Sequence, residues 1–344
     1  MLGLILLPMI AGLMFIDFGS SDEASNSDFD GGANDTDFDN EISGTDGSDQ
    51  IEGTGGSDLV HAGQGNDEID GLDGADLIFG GDGNDTIDVG SYSSRYLDAE
   101  STIFGGNGED SISAGAYHDF QLNGGSGNDT ISGSYGNDTI FGDEGDDLLL
   151  GGGDDDWSVH SDDSMHGGAG NDTLIGGVGH DSLYGDEGDD SLIGGEESDF
   201  LSGGEGNDTL SASLWLQDVD FRSGDPDVAG QDTLEGGQGK DTFRIDFYDE
   251  EVFDQYSDAP TWPTDLGEYP DGYEPTIIDF TPPEDVIMLS YSGELPFDVE
   301  NSLEFRDWED GNGADLLVNG DVVAHVRGAH GLDVKSNVSI QQRI

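Results

Sequence analysis

Between residues 44 and 244 the chain keeps returning to one nine-residue pattern, G-G-x-G-x-D-x-U-x, in which U is a large aliphatic side chain. Five units run without a gap through GTDGSDQIE, GTGGSDLVH, AGQGNDEID, GLDGADLIF and GGDGNDTID, at 44 to 88. GGNGEDSIS follows at 105 to 113, and after a degenerate unit come GGSGNDTIS, GSYGNDTIF and GDEGDDLLL at 124 to 150. GGAGNDTLI opens a further five at 167 to 211, and two more end in GGQGKDTFR at Arg244. A period held this often marks a repeat architecture.

Nine residues are too few for a helix pair, but they accommodate a six-residue turn and a three-residue strand whose middle side chain points inward. Consecutive units then lie on opposite sides of a coil. Units eighteen residues apart stack at the strand spacing of about 4.8 Å, building two parallel sheets that face each other. One inner row is Ile51, Ile69 and Ile87, and the facing row is Val60 and Ile78. The expected fold is all-β: a parallel β-roll, a right-handed solenoid whose core is one aliphatic layer thick on each side. Burial of one such side chain contributes roughly 2 kcal/mol, less than the entropy lost in ordering nine residues. The coil therefore needs another source of stability.

The same stacking places the fixed aspartates above one another: Asp49, Asp67 and Asp85 on one edge, Asp58 and Asp76 on the other. Bare carboxylates at that separation repel by about 3 to 4 kcal/mol per neighbour at an effective dielectric near 20. The glycines permit tight turns and a close approach of carbonyl oxygens. Carboxylates plus turn carbonyls, with Cys absent and only 7 His in the chain, form a hard oxygen donor set. That set suits Ca²⁺ better than Mg²⁺, which keeps a stricter octahedron, or Zn²⁺, which favours N and S. Calcium is the expected cofactor, in multiple copies.

Composition agrees. Against 78 Asp plus Glu stand 8 Lys plus Arg, a formal charge of -70, which excludes nucleic acid and anionic membranes as partners. With 33% apolar residues and 58 Gly the chain cannot build a thick core, and without Cys it has no disulfide scaffold. The first sixteen residues, MLGLILLPMIAGLMFI, are apolar and read as an export signal or a short anchor, the one stretch expected to meet a membrane. The array is interrupted near 89–104, 151–166 and 212–229. The expected organisation is an apolar segment and acidic linker over 1–43, a roll over 44–244, and a β-rich C-terminal cap over 245–344. Within the cap TIIDF and VIMLSY read as strands, and LLVNGDVVAHV as a hairpin turning at Asn319 and Gly320.

These units resemble the hemolysin-type, or RTX, calcium-binding nonapeptide, and sixteen of them match across 44 to 244. The resemblance implies a parallel β-roll with calcium between successive turns. It also implies an extracellular or cell-surface location, with type I secretion as the family's usual route. Carried over by position, it implies metal ligation by Asp49, Asp58, Asp67, Asp76, Asp85, Asp110, Asp129, Asp138, Asp147, Asp172, Asp181, Asp190, Asp199, Asp208, Asp232 and Asp241. The tail, through LEFRDW and VAHVRGAHGLDV, is similar to the β-rich region that closes such arrays.

Relatives of this kind often carry a catalytic domain, but here H-E-x-x-H and G-x-S-x-G are both missing from the sequence. His325 and His330 have no Glu in helical phase and read as strand and loop residues. No catalytic residue is expected. The function read from the sequence is a secreted or surface-held calcium-binding element with a structural, matrix or adhesion role. The alternative is a secreted hydrolase or lyase acting on polysaccharide through a site in the C-terminal region. Phe253, Tyr256, Trp262, Tyr269 and Tyr273 are candidate stacking partners for cell-surface or matrix glycans, although packing onto the cap explains them as well. Asp225-Pro226 resembles a self-cleavage junction but reads more simply as a turn. A threonine row for ice is missing at position three, which holds Asp46, Gly55, Gln64, Asp73, Asp82, Ser126, Tyr135, Glu144 and Ala169.

Overall fold

Eighteen-residue stacking governs the whole architecture. The computed structural model describes residues 38–70, 74–89, 101–115, 118–152, 161–214, 231–247 and most of 275–343, all within one unit, Phe38–Ile344. Through the array, strands alternate between a fourteen-strand sheet and a twelve-strand sheet, each pairing with the next but one in sequence. The pairing is parallel through the array: Val60 stands on Ile78 and Ile51 on Ile69. Two aliphatic columns result, and Val60, Ile78, Ile103, Ile140, Leu183 and Leu234 are fully buried in one of them. The other column runs through Ile69, Ile87, Ile131, Leu174 and Leu210 to Phe243. Together they form one continuous apolar cluster that extends into the C-terminal strands.

Most strands are longer than the three residues expected, Gln50–Glu52 and Glu68–Asp70 being the exceptions in the array. Asp58–Gln64, for example, continues past its inward Val60 into the glycines, where Gly63 pairs with Gly81 and Gln64 with Asp82. The turn backbone of one coil hydrogen-bonds to the turn above it, as when the Gly65 N–H donates to the Asp82 carbonyl at 2.7 Å. Backbone groups that would otherwise be buried without partners are satisfied in this way.

Coil and cap also merge. Asn40–Ser43 pairs with Asp58–His61, so the roll starts inside the segment read as a linker, because Ile42 stands eighteen residues before Val60. Ser101–Asn107 and Ser164–Ala169 are ordinary coil strands that begin inside stretches read as interruptions. At the other end Thr276–Ile277, Val286–Ser292 and Val338–Arg343 continue both sheets in parallel. The fourteen-strand sheet is then closed by three antiparallel strands, Leu303–Asp307, Gly313–Val318 and Asp321–Arg327. Val318 pairs with Asp321, the register of a two-residue hairpin loop. One helical turn, Val334–Asn337, leads into the final strand.

The outer face of the fourteen-strand sheet carries ring stacks. His61, Phe79 and Phe104 lie parallel at 4.9 and 5.1 Å, and Phe141, His166 and Tyr184 at 5.4 and 4.5 Å. In-register pairing puts the two triplets in one line, interrupted by Asn123. Within each triplet the ring faces pack against one another.

A left-handed backbone recurs at two places in most turns, where glycine is the usual residue and Ser134, Asp143, Asp186 and Glu197 are the exceptions. Gly81 and Gly83 have φ of 119° and 134°, and a Cβ on Gly83 would overlap the Gly65 carbonyl. Gly170, with φ of 143°, stands in the same way against Gly145, whereas Gly55 has open space around it. Gly170→Ala should therefore destabilise the folded protein by about 2 kcal/mol or more. Gly55→Ala should stay within about 0.5 kcal/mol. Thermal unfolding in millimolar calcium checks both, and equal effects would contradict the stacking.

Candidate metal centre

Each repeat aspartate follows the glycine turn and precedes the strand, so its side chain turns into the edge of the roll. One carboxylate oxygen has a fixed task. The Asp67 N–H donates to Asp85 Oδ1 at 2.9 Å, Asp172 to Asp190 at 2.8 Å and Asp190 to Asp208 at 2.9 Å. The preceding residue makes a parallel ladder on the surface: the Asn84 N–H donates to Asn66 Oδ1 at 3.1 Å and Asn207 to Asp189 Oδ1 at 2.8 Å. This explains the asparagines and aspartates at position five, which sequence periodicity alone left unexplained.

The second carboxylate oxygen is a different matter. Oδ2 of Asp67, Asp85, Asp110, Asp129, Asp138, Asp147, Asp163, Asp172, Asp181, Asp190, Asp199 and Asp208 is buried with no hydrogen-bond partner. Such an atom carries the full desolvation penalty unless a cation is present. In eleven of the twelve it faces bare glycine, and before Asp67 that place is held by Ala62. A Cβ built on Gly167 would meet Asp172 Oδ2 and, at 2.7 Å, the carbonyl oxygen of Gly185 on the next coil. Gly105 stands likewise before Asp110 Oδ2 and the Gly124 carbonyl, 2.5 and 2.7 Å from the same construction. Carboxylate and carbonyl thus converge on a cradle that any side chain would fill.

These residues fit calcium. The donors are all oxygen, anionic and amide, as hard divalent ions require. Among the described residues no three Asp, Glu, His or Cys side chains converge, so the donors would be carboxylates supplemented by carbonyls. Bound calcium would supply positive charge to offset the carboxylates and tie one coil to the next.

Burial and neighbouring carboxylates act on the same groups. Burial, opposed by the N–H donors and reinforced by adjacent aspartates, pushes Asp110 and Asp172 up to about 6 and Asp129 and Asp163 to about 7. Asp181 reaches about 8 and Asp138 about 9. Asp199 and Asp232 are raised as well, first by burial, with Asp232 adding to the effect at Asp199.

All sixteen aspartates expected as ligands occupy the sixth position, yet they are not equivalent. Oδ2 of Asp49 accepts the Thr45 N–H at 2.6 Å and its hydroxyl at 2.8 Å, and Thr54 does the same for Asp58 at 3.1 and 2.7 Å. These two are satisfied by protein donors alone. Two residues that the sequence reading missed belong to the rows. Asp163 sits in SDDSMH, parted by an insertion from Gly151 and Gly152, yet Gly151 still stands before its Oδ2 and Met165 fills the inward place. Asp285 accepts the Asp241 N–H at 3.1 Å and the Thr281 N–H at 2.7 Å, closing its row where TPPE replaces the glycines. Nearby, Asp279 accepts the N–H groups of Gly236 and Gly237 at 2.9 and 2.7 Å.

In the cap, Asp315 accepts from Arg306 Nη2 at 2.8 Å and Trp308 Nε1 at 2.6 Å, and lies 2.9 Å from His325 Nδ1. Burial works against its charge, but these partners hold it below the usual carboxylate range. His325 is thus tied into a cross-strand knot. Residues 1–16, Asp225-Pro226, His330 and the aromatics Phe253 to Tyr273 lie outside the described residues.

The raised values determine a pH dependence. A carboxyl whose folded value lies above its unfolded value near 4 favours folding below pH ~4, and that contribution is lost as pH rises through its folded value. Metal-free protein should therefore show more β signal in far-ultraviolet circular dichroism at pH 4.5 than at pH 8. The calcium midpoint should be higher at pH 5.5 than at pH 8, because protons compete for the same oxygens. More β structure at pH 8 without metal would contradict the burial of the rows.

A family model described as the RTX calcium-binding nonapeptide repeat (4 copies) matches residues 34–69, 61–91, 100–120, 123–157, 161–192, 184–214 and 229–244. No curated protein sequence matches the chain. Among solved structures it is similar to the AlgE6R3 subunit of the Azotobacter vinelandii mannuronan C5-epimerase, at 26% identity and a TM-score of 0.25, over 53% of this chain and 81% of that one. It is also similar to the extracellular lipase LipA from Serratia marcescens, at 14% identity and a TM-score of 0.21, over 87% of this chain and 39% of that one. With the repeats matched over more than half of its residues, the chain belongs to the RTX calcium-binding nonapeptide repeat family.

Proposed function

We propose that this protein is an extracellular or surface-held structural element whose roll closes when it binds calcium. At cytosolic calcium the carboxylate rows oppose closure and the chain stays open; outside the cell, calcium completes the coils. The observation that carries this reading is the set of twelve buried aspartate oxygens without a partner, each in the same place in its coil. Coupling of binding to folding follows, because the cradles exist only when neighbouring coils are stacked. The role is structural, in a matrix or in adhesion, with glycans of a surface or matrix as the partner class. It involves no catalysis: the repeat carboxylates are engaged in the rows, and Asp315 is fixed by its neighbours in the cap. Among the described residues no helix is long and apolar enough to cross a membrane.

Circular dichroism in EDTA and then in calcium tests the proposal. Parallel β signal should appear with a midpoint of about 0.1 to 1 mM, the range of extracellular calcium modules. Equal β content in both conditions would overturn it. Asp172→Asn keeps an oxygen for the Asp147 N–H and removes one charge. It should raise the calcium midpoint several-fold while making the metal-free chain easier to fold.

A further inference from the structure

The two aspartate rows differ in continuity. On the edge leading into the twelve-strand sheet, the sixth position is aspartate in every coil: Asp49, Asp67, Asp85, Asp110 and Asp129, then on to Asp285. On the opposite edge the order is Asp58, Asp76, Ser101, Phe120, Asp138 and Asp163. Two consecutive coils there lack the carboxylate.

Both replacements are built in. Ser101 is 2% exposed, and its Oγ accepts the Asp76 N–H at 2.9 Å while donating to the Gly74 carbonyl at 3.0 Å. Its hydroxyl thus keeps the ladder bond and leaves no bare oxygen. The Phe120 N–H donates to Asp138 Oδ1 at 2.7 Å, as an aspartate in that place would. Its ring, 6% exposed, joins the apolar cluster. The neighbouring Asp119 does not take over: it is exposed, and its Oδ1 accepts the Asn137 N–H at 2.8 Å, the ladder role of position five. One extra residue in this unit causes the shift, since Asp110 and Asp129 are nineteen apart where their neighbours in unbroken units are eighteen apart.

We infer that Ser101 and Phe120 form a metal-free joint in one edge of the roll. Carboxylate oxygens without a partner then run along one edge from Asp67 to Asp208, whereas on the edge of the joint they begin only at Asp138. The inference rests on the calcium reading. A hydroxyl with both roles filled and a phenyl ring provide neither charge nor a free oxygen, so an ion has nothing to bind there. The coils at the joint carry fewer unpaired carboxylates, and their order depends on calcium less steeply than that of the coils beyond Asp163.

Native mass spectrometry of calcium-loaded protein tests the joint. Val89 and Ala114 stand where glycines stand before the other aspartates, so Ser101→Asp with Val89→Gly should take up roughly one further ion, and adding Phe120→Asp with Ala114→Gly more than that. Unchanged ion counts in folded variants overturn the joint. Hydrogen exchange of the unaltered chain against calcium concentration needs no variant. Protection in 101–107 and 120–126 should vary less steeply than in 182–187 and 200–205, and equal steepness overturns the inference. A chain that takes up no calcium at all overturns the calcium reading and the joint with it. Uptake with uniform steepness overturns the joint alone.

Discussion

Stacked carboxylates in a water-poor edge are the constraint on which the rest of this structure depends. Each aspartate is brought over the next by the parallel register, and twelve of them have an oxygen that the protein leaves without a donor. The aliphatic columns cannot overcome that cost alone, because each coil contributes one inward side chain per sheet. A divalent cation is the natural complement of its oxygen cradles.

The aspartate divides its labour between its two oxygens. Oδ1 receives the N–H of the coil before it, which spaces the coils and orients the carboxylate. Oδ2 is then directed, in most coils, at the bare face of a glycine. Replacing aspartate by serine preserves the first task and abandons the second, as Ser101 shows. Where Thr45 and Thr54 supply donors to Oδ2, the first coils are completed by hydrogen bonds. At the other end Thr281 does so for Asp285, and the antiparallel strands seal the apolar columns.

Much of this was legible in the sequence because the repeat is short and its inward position is unambiguous. The stacking of Ile51 on Ile69 and of Val60 on Ile78 followed from the period alone. Asp163 and Asp285 escaped because an insertion parts Asp163 from Gly151 and Gly152 and TPPE replaces the glycines before Asp285, while pairing with adjacent coils still brings both into their rows. The extent of the strands escaped for a related reason: glycines read as turn residues also pair with the coil above.

Taken by itself, the sequence determined the coil, its two-sheet core, its oxygen-only chemistry and the calcium that this chemistry calls for, since all of these depend on residue type and spacing. Only the tertiary structure decided which carboxylate oxygens are left without partners, because hydrogen bonds between coils, and not residue identity, assign the donors. It also decided that Phe120 rather than Asp119 occupies the ligand position. One extra residue is invisible in a degenerate unit but shifts the register once the neighbouring strands hold Leu122 in the core.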